Sequence, residues 1–194
     1  MLKTDFIITL AWPEGEILSV GSWYDNILGE NRKYKIGHTA LLSVNSETKI
    51  ISYYDFGRYH SPIGFGRIRD FETDPDLRLD IKATIKNNSI LNLSEIISNI
   101  SENKSTHGEG TLYYKVIKNV NLTTGKFFAK QKQDEGIISF GPFSEKSLNC
   151  GRFVYQFIRK SRCKKSDYYK VILNDFLLRI PFLKKFSIKF CIKG

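Results

Sequence analysis

Two apolar runs flank a short polar stretch: Thr39-Ala40-Leu41-Leu42-Ser43-Val44 and Lys49-Ile50-Ile51-Ser52-Tyr53-Tyr54 lie either side of Asn45-Ser46-Glu47-Thr48. β-branched and aromatic residues favour strands, and Asn, Ser and Thr favour the turn between them, so the segment reads as a β-hairpin. With the turn centred on Ser46 and Glu47, His38 stands across from Asp55, give or take a residue. Directly opposed residues share one face of a sheet. Asp is disfavoured in strands, so an Asp there needs a reason, and orienting an imidazole is one. The alternative is a core histidine beside an Asp that opens a turn with Gly57.

Other segments extend the sheet. Phe6 to Trp12 reads as a buried strand stopped by Pro13, and Trp23-Tyr24-Asp25 lies in an irregular connection before His38. Leu77, Leu79, Ile81, Ala83 and Ile85 alternate with polar residues, which predicts a half-buried antiparallel strand. Phe186, Ile188, Phe190 and Ile192 alternate in the same way near the end. Two helices are expected. Leu93, Ile96, Ile97 and Ile100 make one apolar face over 92–102, with Asn92 as N-cap, Glu95 at the third helical position and Ile97 turned to the core. Residues 149–162 make the other. The fold class is therefore α+β, an antiparallel sheet with packed helices.

The 194 residues contain no internal repeat or low-complexity linker, so one domain over 1–194 is expected, with a core over about 1–162. A hydrophobic fraction of 41% suits a globular chain, and no apolar run approaches the roughly 18 residues of a membrane span. Asp5 and the absence of a small-residue cleavage site argue against a signal peptide, which makes a cytoplasmic location the expectation. Charge is uneven. Residues 159–194 hold 11 Lys and Arg against Asp167 and Asp175, so this end carries +9 of the net +10. The basic segment 163–194 is suited either to a solvated sheet edge or to nucleic acid or an anionic membrane, and no nucleic-acid motif accompanies it.

Cys150, Cys163 and Cys191 form no close-spaced pair, so neither a disulfide framework nor a zinc site is indicated. Cys150 stands apart for its position. Asn149-Cys150-Gly151-Arg152-Phe153-Val154 opens the second helix, and Cys150 extends the apolar stripe of Phe153, Val154, Phe157 and Ile158 at its N-terminal end. Unpaired backbone N–H groups and the helix dipole favour a thiolate there, and a nearby imidazolium favours it further. A free Cys is otherwise a small buried hydrophobe. If the fold brings Cys150 to His38, a thiol nucleophile gains its base, and Asp55 on the other ring nitrogen completes a triad. His60 and His107 sit in loop-like contexts and are poorer bases.

Gly37-His38-Thr39-Ala40-Leu41 and Asn149-Cys150-Gly151-Arg152-Phe153-Val154, in the order His on a strand, polar residue on the next strand, Cys on a late helix, resemble the circularly permuted papain-like (NlpC-type) cysteine hydrolase superfamily. Trp12-Pro13-Glu14, Trp23-Tyr24-Asp25, Asp55-Phe56-Gly57-Arg58-Tyr59, Gly66-Arg67-Ile68-Arg69 and Gly141-Pro142-Phe143 are similar to a bacterial domain family with no assigned activity, over about residues 5–160. The resemblance implies Cys150 as nucleophile, His38 as base and Asp55 as the third polar group. It implies a peptide, amide or acyl substrate. Such folds also host acyltransferases at lipid surfaces and non-catalytic binding domains, and both remain alternatives to a hydrolase. The chain after 160 has no counterpart in the family pattern.

Remaining motifs carry less. Gly64-Phe65-Gly66-Arg67 lacks the Gly-Lys-Ser/Thr of a phosphate loop, and Asp70, Asp74 and Asp76 lack the glycine and terminal Glu of a calcium loop, so no metal or cofactor is expected. Arg58, Arg67 and Trp23 are candidate substrate-binding residues; Arg58, Arg67 and Arg69 are suited to clamping a carboxylate, or else are exposed arginines without partners.

Overall fold

The computed structural model describes residues 5–14, 16–18, 33–35, 37–141 and 146–161. Trp23, Cys163, Cys191, the expected strand over 186–192 and the whole basic segment 163–194 lie outside these residues.

The central sheet has six strands: β1 (Asp5–Trp12), β4 (His38–Val44), β5 (Ile51–Gly57), β6 (Phe65–Arg69), β9 (Tyr113–Val120) and β10 (Ile138–Ser139), in the order β10-β6-β5-β4-β1-β9. Every pairing is antiparallel. Two short ladders stand apart: β2 (Glu16–Leu18) with β3 (Lys33–Lys35), and β7 (Ile85–Lys86) with β8 (Ser89–Ile90). The described residues form three α-helices: α1 (Leu93–Glu102), α2 (Leu122–Asp134) and α3 (Cys150–Lys160).

Strand alternation divides the core in two. Ile7, Leu41, Tyr54, Phe56 and Ile68 pack against Phe128 and Ala129 of α2 and Phe153, Val154 and Phe157 of α3. The other face puts Phe6, Ile8, Leu10, Trp12, Ala40, Leu42, Val44 and Tyr53 against Leu77, Ala83 and the α1 residues Ile96 and Ile100. The two helices on the first face approach closely at Gly125, where a Cβ would lie 2.1 Å from Ser161 Oγ.

The β4–β5 hairpin forms with a register two residues from that expected: Ala40, not His38, pairs with Asp55. Lys49 and Ile50 belong to the connection, closed by Asn45 N–H on the Ile50 carbonyl at 3.0 Å and Lys49 N–H on the Asn45 carbonyl at 2.9 Å. An even shift keeps every side chain on its predicted face.

The predicted strand over 77–85 is corrected. Pro75–Leu77 is a turn of 3-10 helix, and only Ile85–Lys86 pair as a strand. The alternation records burial alone, since Leu77 and Ala83 are buried and Leu79, Ile81 and Ile85 pack on the second core. Its backbone is satisfied otherwise: Ala83 N–H donates to the Lys49 carbonyl, and Thr84 N–H to Asn92 Oδ1. Asn92 stands at the N-cap of α1 as predicted, yet its side chain is spent on residues 82–84 and Glu95 rather than on the helix start. Ile96 and Ile100 face the core fully, whereas Ile97 is only half-buried.

Candidate active site

His38 opens β4 directly after Gly37, whose φ of +68° is accessible to glycine at little cost. A Cβ there would also meet the Trp12 carbonyl at 2.5 Å, so the approach of the chain to β1 requires glycine. Cys150 opens α3, where Asn149 caps the helix by accepting the Arg152 N–H at 2.8 Å. The two meet at element ends. The His38 side chain is hydrogen-bonded to both Asp55 and Cys150.

The Asp55 contact is made by His38 Nε2, 3.1 Å from Oδ2. That leaves Nδ1 as the nitrogen for the thiol. Trp12 stacks on the imidazole with ring centroids 5.7 Å apart, and Tyr59 meets it edge-on at 6.2 Å. The His38 side chain is 12% exposed and Cys150 6%, so both are largely withdrawn from water.

Asp55 is fully buried and holds four donors: His38, the Tyr53 hydroxyl at 3.0 Å on Oδ2, Arg69 Nε at 3.0 Å on Oδ1 and Arg69 Nη2 at 2.6 Å on Oδ2. Burial alone raises a carboxyl's pKa, but the hydrogen bonds and charges of His38 and Arg69 outweigh it and hold Asp55 below the ordinary range. For His38, burial pulls the pKa down, while hydrogen bonds and charge from Asp55 and Cys150 push it up. The balance raises it from 6.5 to about 9. At neutral pH the site therefore carries an imidazolium held by a buried carboxylate and set against the Cys150 side chain.

The expected triad residues thus converge, in series Cys150, His38, Asp55. Each of the three arginines has a partner within the fold. Arg67 donates to both Asp74 oxygens at 2.8 and 2.7 Å and to the Tyr59 carbonyl at 3.0 Å. Arg58 lies over the Phe140 ring, 5.4 Å from its centroid. Arg69, read as a substrate clamp or an exposed side chain, is neither: it is buried on Asp55 and stacked on Tyr59 at 3.5 Å. Tyr59 is a site neighbour that the sequence did not point to, and Arg69 has a role there other than the one its sequence suggests. Arg69 is the cross-strand partner of Asp55, so the β5–β6 register was the signal for it. Among the described residues no cluster of three or more His, Cys, Asp or Glu is placed to hold a metal.

His107, also set aside as a loop residue, stacks on Tyr59 with centroids 4.6 Å apart. It sits in the left-handed region at φ 52°, and burial followed by the Arg69 charge lowers its pKa. Its neighbour Gly108 backs Trp12, where a Cβ would fall 2.1 Å from the indole.

These observations define a class: a mixed α/β protein whose antiparallel sheet and late helix bring a thiol, an imidazole and a carboxylate into one hydrogen-bonded series. The chain belongs to the type VI secretion system effector TseH-like family, whose pattern matches residues 7–167. Its fold is similar to the crystal structure of the type VI secretion system effector TseH, with a TM-score of 0.57 and 21% identity over 82% of this chain and 77% of that one. At this identity the likeness bears on the fold. No curated protein matches the chain. No helix among the described residues is long and apolar enough to cross a membrane.

Proposed function

We propose that this chain is an effector with thiol-dependent hydrolase chemistry, cleaving a peptide, amide or ester bond on a circularly permuted papain-like scaffold. The observation that carries the reading is His38 bridging Asp55 and Cys150. Family membership supports the effector part, and the motifs around His38 and Cys150 support the scaffold.

In this reaction the Cys150 thiolate attacks the carbonyl carbon, and the carbonyl π electrons move to oxygen. The Cys150 backbone N–H at the start of α3 helps hold the developing oxyanion in this reaction. As the carbonyl re-forms, the bond to the leaving group breaks and His38 gives its Nδ1 proton to that group. A thioester remains on Cys150. Water then attacks it, His38 takes the water proton, and collapse releases the carboxylic acid and returns the thiolate and imidazolium. Asp55 holds the ring so that Nδ1 faces sulfur throughout.

The test uses p-nitrophenyl acetate, an activated ester. Burst release of about one equivalent of p-nitrophenolate, with one acetyl group found on Cys150 by mass spectrometry, supports the reading. Absence of a burst, or acetyl on another residue with Cys150→Ala equally active, overturns it.

A further inference from the structure

Resting on that reading, we propose that Arg69 is a positioning residue of the site: it acts through Asp55 to keep His38 aligned with Cys150 and to leave the His38 proton free for transfer.

Geometry carries the first half. Asp55 and Arg69 are directly paired across β5 and β6, and the guanidinium takes both carboxylate oxygens, Nε on Oδ1 and Nη2 on Oδ2. A two-point grip fixes the carboxylate plane, which a single hydrogen bond cannot do. With the Tyr53 hydroxyl also on Oδ2, the carboxylate cannot turn away from His38 Nε2 without breaking buried bonds. The guanidinium is itself held flat by Tyr59, 3.5 Å from the ring centroid. Gly57 makes room for that ring, since a Cβ at 57 would lie 2.2 Å from Tyr59 Cε2.

Charge carries the second half. With Cys150 as the thiolate of the proposed reaction, Cys150, His38, Asp55 and Arg69 alternate in sign, and Asp55 and Arg69 are almost wholly buried. Were His38 the only cation on Asp55, giving up its proton would strand a buried carboxylate. Arg69 keeps Asp55 paired whether or not His38 is protonated, so the proton is available to a leaving group. Tyr53, Tyr59 and His107 are the other titratable groups facing this chain, the first on Asp55 and the last two stacked beside it.

The experiment measures the pH dependence of Cys150 alkylation by iodoacetamide in the full chain, for wild type, Arg69→Lys, Arg69→Met, Asp55→Asn and the Asp55→Asn/Arg69→Met double variant. We expect Arg69→Met to label Cys150 about tenfold more slowly near pH 6, the scale seen for groups that orient a functional side chain, with Arg69→Lys intermediate. The double variant should match Asp55→Asn alone, because Arg69 acts through Asp55. A merely structural role predicts a lower melting temperature with an unchanged profile in the folded fraction. That result, or effects of Asp55→Asn and Arg69→Met that multiply, overturns the proposal. Should Arg69→Met not fold, Arg69→Lys decides: it keeps the cation but not the two-point grip, and a wild-type profile overturns the proposal. If wild-type Cys150 shows no enhanced reactivity, the nucleophile reading fails first, and this proposal with it; an enhanced Cys150 indifferent to Arg69 overturns only this one.

Discussion

His38 reaches Asp55 on the diagonal: Nε2 lies 3.1 Å from Oδ2, while the residue directly opposite Asp55 on β4 is Ala40. The imidazole at the strand start can therefore face outward to Cys150 and still rest on a carboxylate two positions deeper in the sheet. The protonation of His38 is the measurable consequence. Its folded value, about 9, lies above the ordinary 6.5, so its contribution to stability is complete below about 6.5 and is lost as pH rises through about 9. Urea midpoints measured from pH 6 to pH 9.5 should fall over the upper part of that range in the wild type. His38→Gln should flatten this fall.

The α1 face gives a stability contrast. Ile96 is fully buried and Ile97 half-buried, although both lie on the apolar stripe. Ile96→Ala should cost on the order of 2–5 kcal/mol and Ile97→Ala clearly less, as read from denaturant midpoints. Equal losses would contradict the packing of α1.

How far the sequence foretold this site depends on which contacts are local. The β4–β5 hairpin was legible because its strands and turn adjoin, and the register error came from Lys49 and Ile50, which the sequence places in the strand and the structure in the connection. Its even size preserved the His38–Asp55 contact. The segment 77–85 misled because alternation reports which side is buried and not whether the backbone has a strand partner. Helix α2 went unread: its inner face uses Leu122, Gly125, Phe128 and Ala129, and a glycine needed for packing against Ser161 breaks the apolar stripe. The role of Arg69 was not legible because Arg67 and Arg69 alternate along β6 as solvent-facing charges do. Their partners, Asp74 and Asp55, are supplied by a loop and by a neighbouring strand.

Gly108 ties the loop after α1 to the imidazole. Its missing Cβ accommodates the Trp12 indole, which stacks on His38. Gly108→Ala should displace the indole or the loop, cost about 1–3 kcal/mol and slow Cys150 labelling. Labelling at the wild-type rate in the folded variant would show that Trp12 does not position His38.

Cys150→Ala should leave folding nearly intact, since His38 stays paired with Asp55 and only a small side chain is shortened. The circular dichroism spectrum and melting temperature should stay close to wild type. A large loss would favour a packing cysteine over a nucleophile.

The central claim, that Cys150 is a thiolate activated by His38 and Asp55, is tested most directly by competitive alkylation. The folded chain is treated near pH 6 with limiting iodoacetamide, and the three cysteine peptides are quantified by mass spectrometry. Cys150 should be labelled ahead of Cys163 and Cys191, because a thiolate–imidazolium pair persists well below the ordinary thiol pKa of about 8.5. His38→Ala should abolish that lead and Asp55→Asn reduce it. Equal labelling of all three cysteines in the folded wild type would contradict the account.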